Sequence, residues 1–189
     1  MRVIAGSAKG RKLHAPKGQA IRPTSDRVKE AVFNIIGGRV NDANVLDLFA
    51  GTGGFGIEAL SRGAKETYFI DTSNEAVRLI KKNLEATGLG DTAIVIKADA
   101  NKAIKRLVKD GAKFDLIFLD PPYRISVSFL NAILFTLGHH VLQSDGLLVL
   151  EHSAKIEPRA VEGLDVESTR VYGDTAVTFY SKKDQRGLQ

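Results

Sequence analysis

The sequence predicts a doubly wound α/β fold, one mostly parallel sheet with helices on both faces, behind a short basic extension. Three observations predict it. A chain of 189 residues, 43% hydrophobic and 26% charged, suits one domain with a sizeable core. From residue 44 onward, short apolar runs bounded by Gly, Asp or Pro alternate with helical patterns. The series then closes differently: residues 166–171 and 176–180 flank Tyr172-Gly173-Asp174-Thr175, which reads as an antiparallel hairpin.

The elements follow in order. Residues 2–5 and 11–16 enclose Gly6-Ser7-Ala8-Lys9-Gly10, a small hairpin with a basic turn. After Arg22-Pro23-Thr24-Ser25-Asp26, the helical recurrence of Val28, Ala31, Val32, Ile35 and Ile36 predicts a helix that Thr24 or Ser25 caps and Gly37-Gly38 ends. Buried parallel strands are expected over 45–49, 67–70, 93–96, 114–119 and 147–150, with helices near 54–62, 74–87, 101–110 and 126–139. The polar tail 184–189 is expected to fray.

Charge divides the chain where the glycine pair does. Residues 1–39 hold nine Lys/Arg and two acids, a net of +7, so with +5 overall the other 150 residues net −2. A basic arm (1–39) on a near-neutral body (40–183) is the footprint of a protein that meets a polyanion, and it nominates Arg11 and Lys12 as contacts. A solvated basic face is the plainer alternative. No apolar run approaches the ~18 residues of a membrane span, and the first residues are too poor in apolar content for a secretory signal, so the cytoplasm is the expected compartment. There is no cysteine, and the four histidines lack His-x-x-x-His spacing, so no metal is expected.

In such a sheet ligands bind beyond the carboxyl ends of the strands, so the residues after each strand carry the chemistry. After the first come Asp47 and Gly51-Thr52-Gly53-Gly54-Phe55-Gly56, and after the second comes Asp71, placed to accept ribose hydroxyls. Asp99 and Ala100 follow the third, and Asp120-Pro121-Pro122-Tyr123 the fourth. The glycines match a dinucleotide fingerprint, which keeps a nicotinamide dehydrogenase open. However, Asp47 would repel a pyrophosphate, and a cationic ligand such as S-adenosylmethionine suits the acids better. Asp71 and Asp99 could instead cap helices. In Asp120-Pro121-Pro122-Tyr123 the prolines hold the backbone extended, setting the Asp120 side chain and Pro121 carbonyl as neighbouring acceptors for an exocyclic amine, with Tyr123 to stack on the ring.

These residues resemble those of the bacterial methyltransferases that modify the exocyclic N2 of a guanine in small-subunit (16S) ribosomal RNA, within the Rossmann-like S-adenosylmethionine-dependent methyltransferases. The likeness runs from Arg2-Val3-Ile4-Ala5-Gly6 through Arg22-Pro23-Thr24-Ser25-Asp26-Arg27 and Asp47 to Asp120-Pro121-Pro122-Tyr123 and Tyr172-Gly173-Asp174-Thr175, with bulky Phe55 a departure. It implies a seven-stranded sheet with an antiparallel end and catalysis at Asp120, Pro121 and Tyr123. It also implies S-adenosylmethionine held at Asp47, Gly51 and Gly53 by its methionine end, at Asp71 by its ribose, and at Asp99 and Ala100 by its adenine. Arg22, Thr24 and Arg27 would stand at the mouth facing RNA. The implied partner is ribosomal RNA or the small-subunit particle; no membrane or metal partner is expected, and the sequence leaves the oligomeric state open with a monomer the expectation. Adenine-N6 and glutamine-N5 methyltransferases share the acceptor-Pro-Pro-aromatic pattern, and a noncatalytic ribosome-assembly protein is the remaining alternative.

Overall fold

The computed structural model describes residues 1–16, 23–122, 124–156 and 160–183, with the backbone alone for 23–25. The chain runs α1 (Pro23–Ile36), a 3₁₀ turn (Gly37–Val40), β1 (Asn44–Leu48), α2 (Gly54–Ser61), β2 (Glu66–Asp71), α3 (Asn74–Thr87), β3 (Ala93–Lys97), α4 (Ala100–Lys109), β4 (Phe114–Leu119), α5 (Val127–Thr136), a π turn (Leu137–Val141), β5 (Leu142–Ser153), β6 (Leu164–Tyr172) and β7 (Thr175–Lys182). The tail 184–189 lies outside the described residues.

One seven-stranded sheet has the order β3-β2-β1-β4-β5-β7-β6. β1 to β5 pair in parallel, and β7 returns between β5 and β6, antiparallel to both. Strand order reverses between β1 and β4, so the crevice opens at their carboxyl ends. Alternation assigns each strand's side chains to two cores. Val45, Phe69, Leu116, Phe118, Leu147 and Val149 face α1, α2 and α3, whereas Leu46, Leu48, Ile70, Ile117, Leu119, Leu148 and Leu150 face α4 and α5.

Three expectations need correction. Pro23 opens α1, its missing N–H harmless in a first turn, so Thr24 and Ser25 lie inside the helix and do not cap it. α5 stops at Thr136 and gives way to the π turn. β5 extends well beyond 147–150, because its first half carries polar residues across a bulge opposite Phe114–Leu116 and its last three residues pair with β7. Apolar runs cannot reveal either extension.

The front of the chain forms the expected hairpin, with Val3 N–H donating to Arg11 O at 2.9 Å and Leu13 N–H to Met1 O at 3.1 Å. The charge division near residue 39 does not interrupt packing: Val3, Ala8 and Leu13 are buried in the same core as α1 and α2. Gly6 comes so close to α2, at φ +81°, that an added Cβ would lie 1.7 Å from Ser61 O. Fully buried Glu58 supplies the anchor. It accepts the N–H groups of Ile4 and Ala5 at 2.8 and 3.0 Å, and pairs with Lys29 Nζ at 3.2 Å and Arg62 Nε at 2.8 Å. Burial pushes the Lys29 ammonium down, and Glu58 partly restores it. Lys29 is therefore not part of the basic surface that its place in the sequence suggested.

Glu58→Gln would keep the shape but strand the Lys29 ammonium without its anion. It should destabilise the protein by about 3 kcal/mol, as breaking buried pairs does. Urea unfolding should show a lower midpoint with an unchanged slope. An unmoved midpoint would contradict the anchoring role.

Candidate active site

The crevice is lined by acids delivered by strand parity. Asp47, Asp71, Asp120 and Glu151 each stand at the carboxyl end of a strand, in step with residues of the α1–α3 face. Asp47 is 3% exposed, and its Oδ2 accepts the Gly56 N–H at 2.9 Å in the first turn of α2. Burial pushes its carboxyl up to about 8, the Gly56 hydrogen bond opposing and the Asp120 and Asp71 charges adding to the rise.

The loop from β1 to α2 takes left-handed backbone at Phe49 (φ 70°), Gly51 (φ 55°) and Gly53 (φ 78°). For Phe49 this costs on the order of 1–3 kcal/mol, a strain placed at the crevice. Gly51 presents a bare backbone, since an added Cβ would find nothing nearer than Phe49 O at 4.0 Å. Its N–H donates to Asp71 Oδ2 at 2.9 Å, while Asp71 Oδ1 takes the Ser73 N–H at 2.8 Å. Each oxygen keeps a lone pair, so Asp71 can still meet two hydroxyls. Ser73, not Asp71, caps α3. Asp99 does cap α4, accepting the Asn101 N–H at 3.0 Å, with Ala100 buried behind it. Bulky Phe55 turns inward: it stacks on Phe118 with centroids 5.1 Å apart, pinning α2 to β4 two residues before Asp120.

Asp120 keeps contact with solvent at the strand end, yet the surrounding protein desolvates its carboxyl and pushes it up to about 6. Pro121 is buried and exposed Pro122 turns the chain, its carbonyl accepting the Ile125 N–H at 2.9 Å. Beside them opens a cavity of about 410 Å³ lined by Pro121, Pro122, Leu130, Glu151, His152 and Tyr180, within the size range of small-molecule sites. Glu151, which motif reading overlooked, has its carboxyl pushed up to about 8 by burial and by the Asp120 charge. Tyr123, Arg22 and the side chain of Thr24 lie outside the described residues.

The basic arm adjoins this crevice. Arg11 Nη1 donates to Ala86 O at 2.8 Å near the end of α3, Lys12 is exposed, and Arg27 lines a hollow of about 350 Å³ with Arg2, Lys9 and Asp26. Fully buried Asn83 ties the arm to the loop, accepting the His14 N–H at 2.7 Å and donating to His14 O and to Thr52 O at 3.1 and 2.9 Å. Asn83 also escaped motif reading, since a polar residue inside an amphipathic helix carries no local signal. Among the described residues, no group of three or more His, Cys, Asp or Glu is arranged to hold a metal, and no helix is long and apolar enough to cross a membrane.

The raised carboxyl of Asp47 sets a pH dependence. A fold that favours the neutral acid binds more protons than the unfolded chain between the ordinary value of 3.8 and about 8, so stability falls as pH rises through that window. Thermal midpoints of the ligand-free protein should decline from pH 5 to 8, and Asp47→Asn, which keeps an acceptor for Gly56, should flatten the decline. Parallel curves for the two proteins would contradict the assignment.

The chain matches the family model "Conserved hypothetical protein 95" over residues 1–181. It is 43% identical over 185 residues, 97% of this chain and 100% of the other, to the Bacillus subtilis (strain 168) protein named "Putative rRNA methyltransferase YlbH". It is 31% identical to the ribosomal RNA small subunit methyltransferase D of Escherichia coli (strain K12), over 98% of this chain and 91% of that protein. A solved structure of a hypothetical protein from Thermus thermophilus superposes with a TM-score of 0.82 at 31% identity, covering 96% and 99% of the two chains. With its seven-stranded sheet and the Asp120-Pro121-Pro122 segment at the strand-order reversal, the chain belongs to the Conserved hypothetical protein 95 family, alongside the ribosomal RNA small subunit methyltransferase D proteins.

Proposed function

We propose that the protein transfers a methyl group from S-adenosylmethionine to the exocyclic N2 of a guanine in 16S ribosomal RNA, in the cytoplasm. The observation that carries this reading is the meeting, across the reversal between β1 and β4, of the glycine loop with Asp120-Pro121-Pro122. The name of the Escherichia coli relative supports a small-subunit RNA substrate. The acids also favour a cationic ligand over a dinucleotide. Asp47 already takes the Gly56 N–H at the start of α2, the position a pyrophosphate would use, and a cation beside it would favour its ionised form where a pyrophosphate would oppose it.

S-adenosylmethionine, when bound, supplies an electrophilic methyl group on a positively charged sulfur, which keeps the bonding pair on transfer. Asp47, Gly51 and Gly53 would hold its methionine end, Asp71 its ribose, and Asp99 with Ala100 its adenine. Asp120 and the Pro121 carbonyl would accept the two N–H groups of the guanine amine, and the Tyr123 ring would stack on the base. The amine lone pair is delocalised into the ring, so attack requires the nitrogen to rehybridise, and fixed acceptors favour that geometry. As the C–N bond forms, positive charge gathers on nitrogen beside Asp120. The proton then shed passes to Asp120 or to water. Arg11, Lys12, Arg22, Thr24 and Arg27 would meet the RNA.

Two substitutions separate orientation from proton abstraction. Asp120→Ala removes an acceptor and should lower single-turnover methyl transfer by about a hundredfold to a thousandfold, as loss of a preorganised hydrogen-bonding group does. Asp120→Asn keeps an oxygen acceptor and should retain activity well above Ala. Equal, severe losses in two folded variants would sink the orientation mechanism. Near-wild-type rates in both would move the site away from Asp120.

A further inference from the structure

We infer that Glu151 accepts the ring N1–H beside the reacting amine and thereby restricts the site to guanine, an inference that rests on the function proposed above. Its geometry comes from the sheet. Leu119 pairs with Leu150 across β4 and β5, so Asp120 and Glu151 are the next residues on adjoining strand ends. By alternation both follow Leu116, Phe118, Leu147 and Val149 onto the face that carries Asp47. Glu151 lines the 410 Å³ cavity together with Pro121 and Pro122, the two residues that follow Asp120.

The other acids of the region are already supplied with donors: Asp47 by Gly56, Glu58 by Ile4, Ala5, Lys29 and Arg62, and Asp71 by Gly51 and Ser73. Among the described residues, no hydrogen-bond donor reaches the carboxylate of Asp120 or Glu151. Two carboxylates side by side in a desolvated crevice repel one another, and donors from a ligand relieve that cost. Guanine brings a matching edge, with two N–H groups on N2 and a third on N1. Asp120 and the Pro121 carbonyl take the amine, which leaves N1–H for Glu151. Adenine and 2-aminopurine instead present a bare lone pair at N1. A donated N1–H favours the ionised form of Glu151, which prevails above about pH 8, and opposite that anion a bare lone pair would meet negative charge and leave the carboxylate unpaired.

The probe is small-subunit ribosomal RNA carrying guanine or 2-aminopurine at the methylated position, which is first mapped by nucleoside mass analysis. Both bases hold the same N2 amine and differ at N1 and at C6, so the change in preference on substituting Glu151 reads the N1 contact. Wild type should favour guanine by about a hundredfold in kcat/KM, the loss expected from leaving one buried acceptor without its donor. Glu151→Gln can rotate its amide to donate to a bare N1, so it should lose rate on guanine and narrow the preference to below about tenfold. Glu151→Ala should also narrow it, without recovering rate on either base. Calorimetric binding of S-adenosylmethionine identifies variants that retain the fold. An unchanged preference in folded variants would overturn the role of Glu151 while N2-methylguanosine from wild type leaves the proposed function standing. Absence of N2-methylguanosine from wild type would overturn both.

Discussion

One buried carboxylate decides where the front of the chain can sit. Glu58 on α2 is fully buried and is tolerated there because donors arrive from three directions: the Ile4 and Ala5 amides, Lys29 from α1, and Arg62 just past the end of α2. None of these can be withdrawn without leaving charge unpaired in the core. The hairpin and α1 are thereby docked on the helix whose other end begins at the glycine loop. Asn83 makes a second tie, joining His14 directly to Thr52. The hairpin, α1 and the glycine loop are thus tied into one packed frame.

The same frame concentrates negative charge. Four acids stand on one side of the sheet at the ends of four strands; burial pushes Asp47, Asp120 and Glu151 up, the Asp120 and Asp71 charges add to the rise at Asp47, and the Asp120 charge adds to it at Glu151. A cation at the loop and an amine-bearing ring at Asp120 would relieve this repulsion together. Binding and chemistry would then draw on one electrostatic feature, with the strain at Phe49 an added cost of exposing the Gly51 backbone.

Much of this was legible in the residues. The five parallel strands and their order of appearance follow from short apolar runs, and Asp47, Asp71 and Asp120 follow from asking what comes after each strand. Glu151 was missed although it stands directly after the apolar run of β5, since no Pro or Gly marks it as Asp120-Pro121-Pro122 is marked. Long-range ties were not readable either. Lys29 looks like surface charge until Glu58, 29 residues away, is brought beside it. Phe55 looks misplaced in a glycine turn until Phe118 is brought under it. The length of β5 depends on pairing with β7 and on a bulge, and neither leaves an apolar pattern.

Mass mapping of methylated nucleosides in ribosomal RNA, from cells with the protein, without it, and with Asp120→Ala in its place, tests the central claim most directly. The account predicts that one N2-methylguanosine of the small subunit disappears without the protein and stays absent with Asp120→Ala. An unchanged set of small-subunit N2-methylguanosines, or the loss of a methyladenosine instead, would contradict it.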